Sequence, residues 1–157
     1  MKALLQRVSR ASVSVDGEVV GQIGPGLVAL VGVAAEDTEE DAKYLAERAS
    51  TLRIFSDDDG KFDLSVQDTK GDILVVSQFT LLANTRKGRR PSFTQAAPPE
   101  KAEGLVESFA QFLRSTGLRI ETGKFQAHML VEIHNDGPVT IPLDSQDRFK
   151  PRNSSGS

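Results

Sequence analysis

Apolar and polar residues alternate first at Ala11, Val13 and Val15, set against Arg10, Ser12 and Ser14. The period of two predicts a strand with one buried face. Asp16-Gly17 supplies a two-residue hairpin turn, and Glu18 to Ile23 reads as the partner strand. Gly24-Pro25-Gly26 interrupts the pattern, and the unbroken apolar run from Leu27 to Val33 predicts a central strand covered on both faces. The period then lengthens. Ala42, Leu45, Ala46, Ala49 and Leu52 form one helical stripe, opened near Asp37 or Thr38, with Asp37 and Glu40 as the capping pair. Arg53 to Phe55 reads as a strand, Asp57 to Gly60 as a turn, and Phe62, Leu64 and Val66 as another alternating strand. After Gly71-Asp72 a long, largely apolar strand is expected from Ile73 to Ala83. Pro98-Pro99-Glu100 opens a second helix striped by Ala102, Leu105, Val106, Phe109 and Leu113, with Gly117 as its stop. Leu118 to Thr122 and Ala127 to Ile133 complete the strands. In the last of these, Ala127, Met129, Val131 and Ile133 face one way, and His128, Leu130, Glu132 and His134 the other.

Two main helices among about seven strands, without strict alternation, predict an α+β fold on a largely antiparallel or mixed sheet. At 157 residues the chain suits one domain. Residues 1–150 are expected to form it, with 151–157 a polar, disordered tail. No internal repeat or linker divides it. The absence of cysteine excludes disulfides, thiolate catalysis and cysteine-based zinc sites. No apolar run is long enough for a membrane-spanning helix, and Met1 to Leu5 passes straight into Gln6-Arg7 without a secretory pattern. The expectation is a soluble cytoplasmic protein without a membrane partner. The net charge of −3 argues against general nucleic-acid affinity, but Arg86, Lys87, Arg89 and Arg90 lie close together. Such a patch around Gly88 is either a solvated loop or a phosphate-binding one.

Few residues carry recognisable reaction chemistry. Asp57-Asp58-Asp59-Gly60 fails as a calcium loop, because alignment on Gly60 puts Phe55 and Val66 at ligand positions. His128 and His134 would stand about 20 Å apart along one strand, which excludes a three-ligand metal site with Glu132. No metal or cofactor is expected. Ser77 and Thr80 could be nucleophiles, but no histidine is placed beside them, and Ser77-Gln78-Phe79-Thr80-Leu81 lacks the glycines of a nucleophile elbow. Gly137-Pro138 follows a strand through Asn135-Asp136, where a turn is expected. If cis, its two carbonyls could form a rigid pair of acceptors. The trans form is the commoner state of such bonds.

Together these segments resemble the D-aminoacyl-tRNA deacylase family. Two signatures carry the resemblance: Ser77-Gln78-Phe79-Thr80-Leu81 and Asn135-Asp136-Gly137-Pro138-Val139-Thr140. Supporting stretches are Val15 to Gly21, Lys87-Gly88-Arg89-Arg90-Pro91-Ser92-Phe93 and Ala127-His128-Met129, and the similarity runs from Leu5-Gln6-Arg7-Val8 to Ile141-Pro142. Gln126 departs from the pattern, where glycine is expected in many members. The resemblance implies a barrel-like sheet and a homodimer that hydrolyses the ester joining a D-amino acid to tRNA. It further implies that Gly137-Pro138 is cis and enters the partner subunit's pocket, where it receives the substrate amino group and excludes L-amino acids. Ser77, Phe79 and Thr80 are the implied catalytic positions, with Gln78 and Met129 beside the substrate. Arg86, Lys87, Arg89 and Arg90 are the candidate contacts to tRNA phosphates. Steric exclusion of this kind would also admit glycyl-tRNA. The competing reading is a non-enzymatic nucleic-acid-binding module built on the basic segment.

Overall fold

The computed structural model describes residues 1–152. Its organising element is strand β1 (Lys2–Val15), which runs antiparallel to three partners. The first half of β1 pairs with β3 (Gly26–Gly32), the second half with β2 (Glu18–Ile23), and both halves with β8 (Leu130–Asp144). Strand β6 (Asp72–Ser77) lies parallel to β3, and β7 (Ile120–Thr122) parallel to β6. The sheet is therefore mixed, as expected.

The first half of β1 lies outside the predicted strand because its buried positions change phase. Ala3 and Leu5 are buried, then Val8, then Ala11 and Val13. A strict period of two fails between Leu5 and Val8 and again between Val8 and Ala11. Those are the places where β1 slips register against β8. From Leu5 to Val8 the odd step crosses to the opposite face, as alternation requires, whereas from Val8 to Ala11 an odd step stays on one side, so the strand turns over there. Ala3 and Leu5 enter one core with Phe109, Leu45 and Leu113; Val8, Ala11 and Val13 enter a second with Val28, Leu74 and Val76. The second core fills the inside of the curled sheet. β2 closes over β7 there, and a Cβ on Gly21 would stand only 2.9 Å from the Thr122 carbonyl oxygen. The result is a nearly closed barrel in a single α+β domain.

The first core is covered by the crossover helices α1 (Glu39–Thr51) and α3 (Pro99–Arg114). Their buried residues follow the expected stripes, with Phe109 fully enclosed. The cap of α1 differs by one position. Thr38 is the N-cap and Asp41 completes the capping box, while Asp37 accepts the Ala34 N–H at 2.6 Å and pairs with the buried Met1 ammonium at 2.8 Å. Val66 does not extend the strand β5 (Phe62–Leu64), which pairs with β4 (Phe55–Ser56). A capping box from Ser65 and Asp68 starts the short helix α2 (Val66–Thr69) instead, which buries Val66. The expected tail falls mostly on 153–157, outside the described residues. Among the described residues no helix is long and apolar enough to cross a membrane.

Candidate active site

The expected strand from Ile73 to Ala83 stops at Ser77. The Gln78 N–H donates to the Val31 carbonyl at 2.7 Å, the last rung beside β3, and Phe79–Leu82 then coils into a 3-10 turn that buries Leu82. Bonding inside the turn begins with the Leu81 N–H, which donates to the Gln78 carbonyl. The N–H groups of Phe79 and Thr80, at its start, have no partner within it. The Gln78 side-chain amide donates to the Thr80 hydroxyl oxygen.

Ser77, Gln78 and Phe79 line a cleft of about 540 Å³ with Ala97, Phe125 and Met129. A side chamber of about 150 Å³ continues past Ser77, Phe125 and Met129 towards Glu103 and Lys124. His128 also borders the cleft. The sequence pattern places His128 and Met129 on opposite faces of a strand, but β8 begins only at Leu130. Ahead of it the chain turns through Gln126 at φ +62, a left-handed conformation that glycine adopts without strain. The expectation of glycine at this position thus has a backbone reason. Glu132 and His134 lie elsewhere, on the outer face of β1 and β8, in contact at 2.9 Å. The hydrogen bond to His134 holds the Glu132 carboxyl below its usual range. Among the described residues no group of three or more His, Cys, Asp or Glu could hold a metal ion.

Gly137-Pro138 does not end its strand. β8 pairs with Val8 at Asn135 and with Gln6 at Thr140, so Asp136 to Val139 oppose Arg7 alone. The surplus residues leave the ladder as a protrusion, with Asp136, Gly137 and Pro138 exposed and the Gly137-Pro138 bond cis. The base of the protrusion is tied on both sides. Asn135 Oδ1 accepts the Val139 N–H at 3.1 Å, and Asn135 Nδ2 donates to Thr140 Oγ1 at 3.0 Å. Arg7 Nε donates to the Asp136 carbonyl at 3.0 Å, Arg7 Nη1 donates to the Ile54 carbonyl at 2.9 Å, and the guanidinium lies 5.4 Å from the Phe62 ring centroid. Gly137 has φ +135, and a Cβ there would come within 2.8 Å of Val139 Cγ2. Arg7 and Asn135 are the site residues that sequence reasoning assigned no role. The interruption of apolar alternation at Gln6-Arg7, between Leu5 and Val8, is the sequence signal that could have marked the first.

The basic residues Arg86, Lys87, Arg89 and Arg90 are all exposed on the segment 85–91. Paired hydrogen bonds between Asn84 and Ser92, at 2.8 and 2.9 Å, close this loop. Phe79 and Phe93 meet edge to face beside it, with ring centroids 5.0 Å apart.

The D-Tyr-tRNA(Tyr) deacylase family matches this chain over residues 4–144. The chain belongs to that family. A D-aminoacyl-tRNA deacylase of Dehalococcoides mccartyi (strain CBDB1) is 62% identical over 97% of this chain and 99% of its own length. One from Thermotoga petrophila is 57% identical over 95% of this chain and all of its own. Among solved structures, a c-Myc DNA Unwinding Element Binding Protein is 47% identical, with a TM-score of 0.86 over 92% of this chain and 98% of that one. A probable eukaryotic D-amino acid tRNA deacylase, at 18% identity and a TM-score of 0.79 over 90% and 97% of the two chains, shares the fold of this family member.

Proposed function

We propose that this chain, an ester hydrolase of the D-aminoacyl-tRNA deacylase family, acts as a cytoplasmic homodimer in which the Gly137-Pro138 protrusion of one subunit completes the cleft of the other. One observation carries the reading: the two signatures are far apart within a chain. Ser77 lies beside Val31, and Val31 beside Ala3, whereas Gly137 stands opposite Arg7. Three strand-to-strand steps and about four residues of rise separate them, roughly 20 Å along the sheet. The protrusion is pinned by Arg7 and Asn135 and points away from the ladder, so it is presented to a second copy. A twofold dimer would supply two such exchanges at once.

In the completed site, the Gly137 and Pro138 carbonyls accept the substrate's α-amino hydrogens. The Phe79 N–H holds the ester carbonyl, and Met129 and Gln78 border the aminoacyl group. With amino group and carbonyl fixed, the L side chain points into the protrusion and clashes, while a D side chain points to solvent. Discrimination then comes from excluding the wrong enantiomer rather than gripping the right one, so many D-amino acids are accepted. Glycine, with nothing to exclude, is cleaved too.

Hydrolysis needs an oriented water and a donor for the developing oxyanion. A backbone N–H in that role commonly contributes about 3–4 kcal/mol of barrier lowering. The proton is taken with the help of the terminal ribose 2′-hydroxyl. Neither Ser77 nor Thr80 is given a base in this arrangement, and the Thr80 oxygen already accepts the Gln78 amide. The exposed cations Arg86, Lys87, Arg89 and Arg90 hold acceptor-strand phosphates. Deacylation of matched D- and L-aminoacyl-tRNAs tests this reading. Release of the D-amino acid with L left at the buffer rate is expected; equal loss of both enantiomers would refute it. A binding module without chemistry would retain tRNA and release neither.

A further inference from the structure

The proposed function uses the backbone of Phe79 and leaves its ring without a role. The residue is 56% exposed; Phe62 and Phe149 are exposed too, but neither of them lines the cleft. Phe79 does not sit on a loose loop. Phe79 opens a 3-10 turn tied to β3 through the Gln78 N–H, and the half-buried Phe93 meets its ring with planes 62° apart. Phe93 in turn follows Ser92, which closes the basic loop against Asn84. The aromatic pair therefore bridges two features: the cleft, which Phe79 lines, and the segment bearing Arg86, Lys87, Arg89 and Arg90.

We infer that the open face of Phe79, braced by Phe93, stacks the unpaired base preceding the terminal adenosine, while the basic loop holds the phosphates on that side. The inference rests on the deacylase reading, since only a substrate with its terminal nucleoside in the cleft sends the next nucleotide over this rim. A flat aromatic face beside a run of cations is the combination that binds single-stranded nucleic acid with little sequence preference. A protein partner fits less well, because interfaces to nucleic acid are much more positively charged than those between proteins.

Stacking predicts a dependence that charge alone does not. The test uses a non-acylated RNA hairpin with an unpaired 3′ end, intact or abasic at the penultimate position, and measures binding to the wild type and to Phe93→Leu. Removing the base or the bracing ring is expected to weaken binding about tenfold, about 1.4 kcal/mol. Removing both should cost no more than either, because the two changes abolish one contact. Losses that multiply, or an abasic RNA that binds like the intact one, would overturn the inference. Phe79→Leu, taken through the same cycle, decides the matter if Phe93→Leu does not fold. Hydrolysis of the D-aminoacylated hairpin by the wild type is followed in parallel. Its failure would refute the deacylase reading, while the binding cycle would still judge the stacking.

Discussion

Arg7 and Asp136 are joined across a break in the β1–β8 ladder, the arginine Nε donating to the Asp136 carbonyl at 3.0 Å. The same guanidinium reaches the Ile54 carbonyl at 2.9 Å and so ties the base of the Gly137-Pro138 protrusion to the segment before β4. Arg7→Ala frees the protrusion without opening either core. A displacement of about 1 Å at a reacting group can cost about 100-fold, and a fall of that order in kcat/KM for D-aminoacyl-tRNA is expected, together with a smaller D/L ratio. Steady-state kinetics on both enantiomers checks this; wild-type rates and selectivity would remove Arg7 from the site.

Thr80 tests the chemistry. Its hydroxyl accepts from the Gln78 amide, and among the described residues no histidine hydrogen-bonds to it. Thr80→Ala is expected to keep activity within about tenfold, whereas a covalent nucleophile would lose several orders of magnitude. A substrate ending in 2′-deoxyadenosine is expected to resist hydrolysis by the wild type. Unchanged cleavage of it would refute assistance from the ribose.

The basic loop gives a salt-dependence prediction. A protein that no longer neutralises two phosphates of a single strand shows a slope of log K against log salt shallower by about 1.4. Arg89→Glu with Arg90→Glu is expected to weaken tRNA binding and lower the slope by about that amount. An unaltered affinity would return the loop to the solvent.

Acid stability should depend on Asp41. Burial pushes its carboxyl up, but the Thr38 backbone N–H and the Arg148 guanidinium prevail and hold it below the ordinary range. A carboxyl lowered on folding stabilises the fold above its unfolded value, about 3.9. That contribution is lost as pH falls through the lower folded value. Asp41→Asn is expected to reduce the melting temperature at neutral pH and to flatten its decline below about pH 4. Melting curves of wild type and variant that stay parallel down the acid limb would contradict this.

The sequence was most legible where one face of an element stays buried throughout. The stripes of α1 and α3 and the doubly covered β3 fall where the pattern puts them. It was least legible where a strand changes face. Val8 and Ala11, an odd step apart, belong to the same core, so no single period describes β1; its ladder to β8 breaks on both sides of Val8, at the protrusion opposite Arg7 and again before Arg10. Similarly, apolarity continues from Val76 through Leu82, but Gln78 ends the ladder and Leu82 is buried from a turn. The signatures were readable as residue types. Their separation within a chain was not, because it is set by strand order and register.

That separation supplies the most direct test. Ala97→Trp should fill the cleft that Ala97 lines, and Gly137→Trp should disable the protrusion. Each variant alone is expected to be inactive on D-aminoacyl-tRNA. Unfolded together and refolded as a random mixture, they would form mixed dimers with one intact cleft facing one intact protrusion, and activity should return to about a quarter of the wild-type level. A mixture as inactive as its components, with mixed dimers verified by mass, would contradict completion of the site by a second subunit.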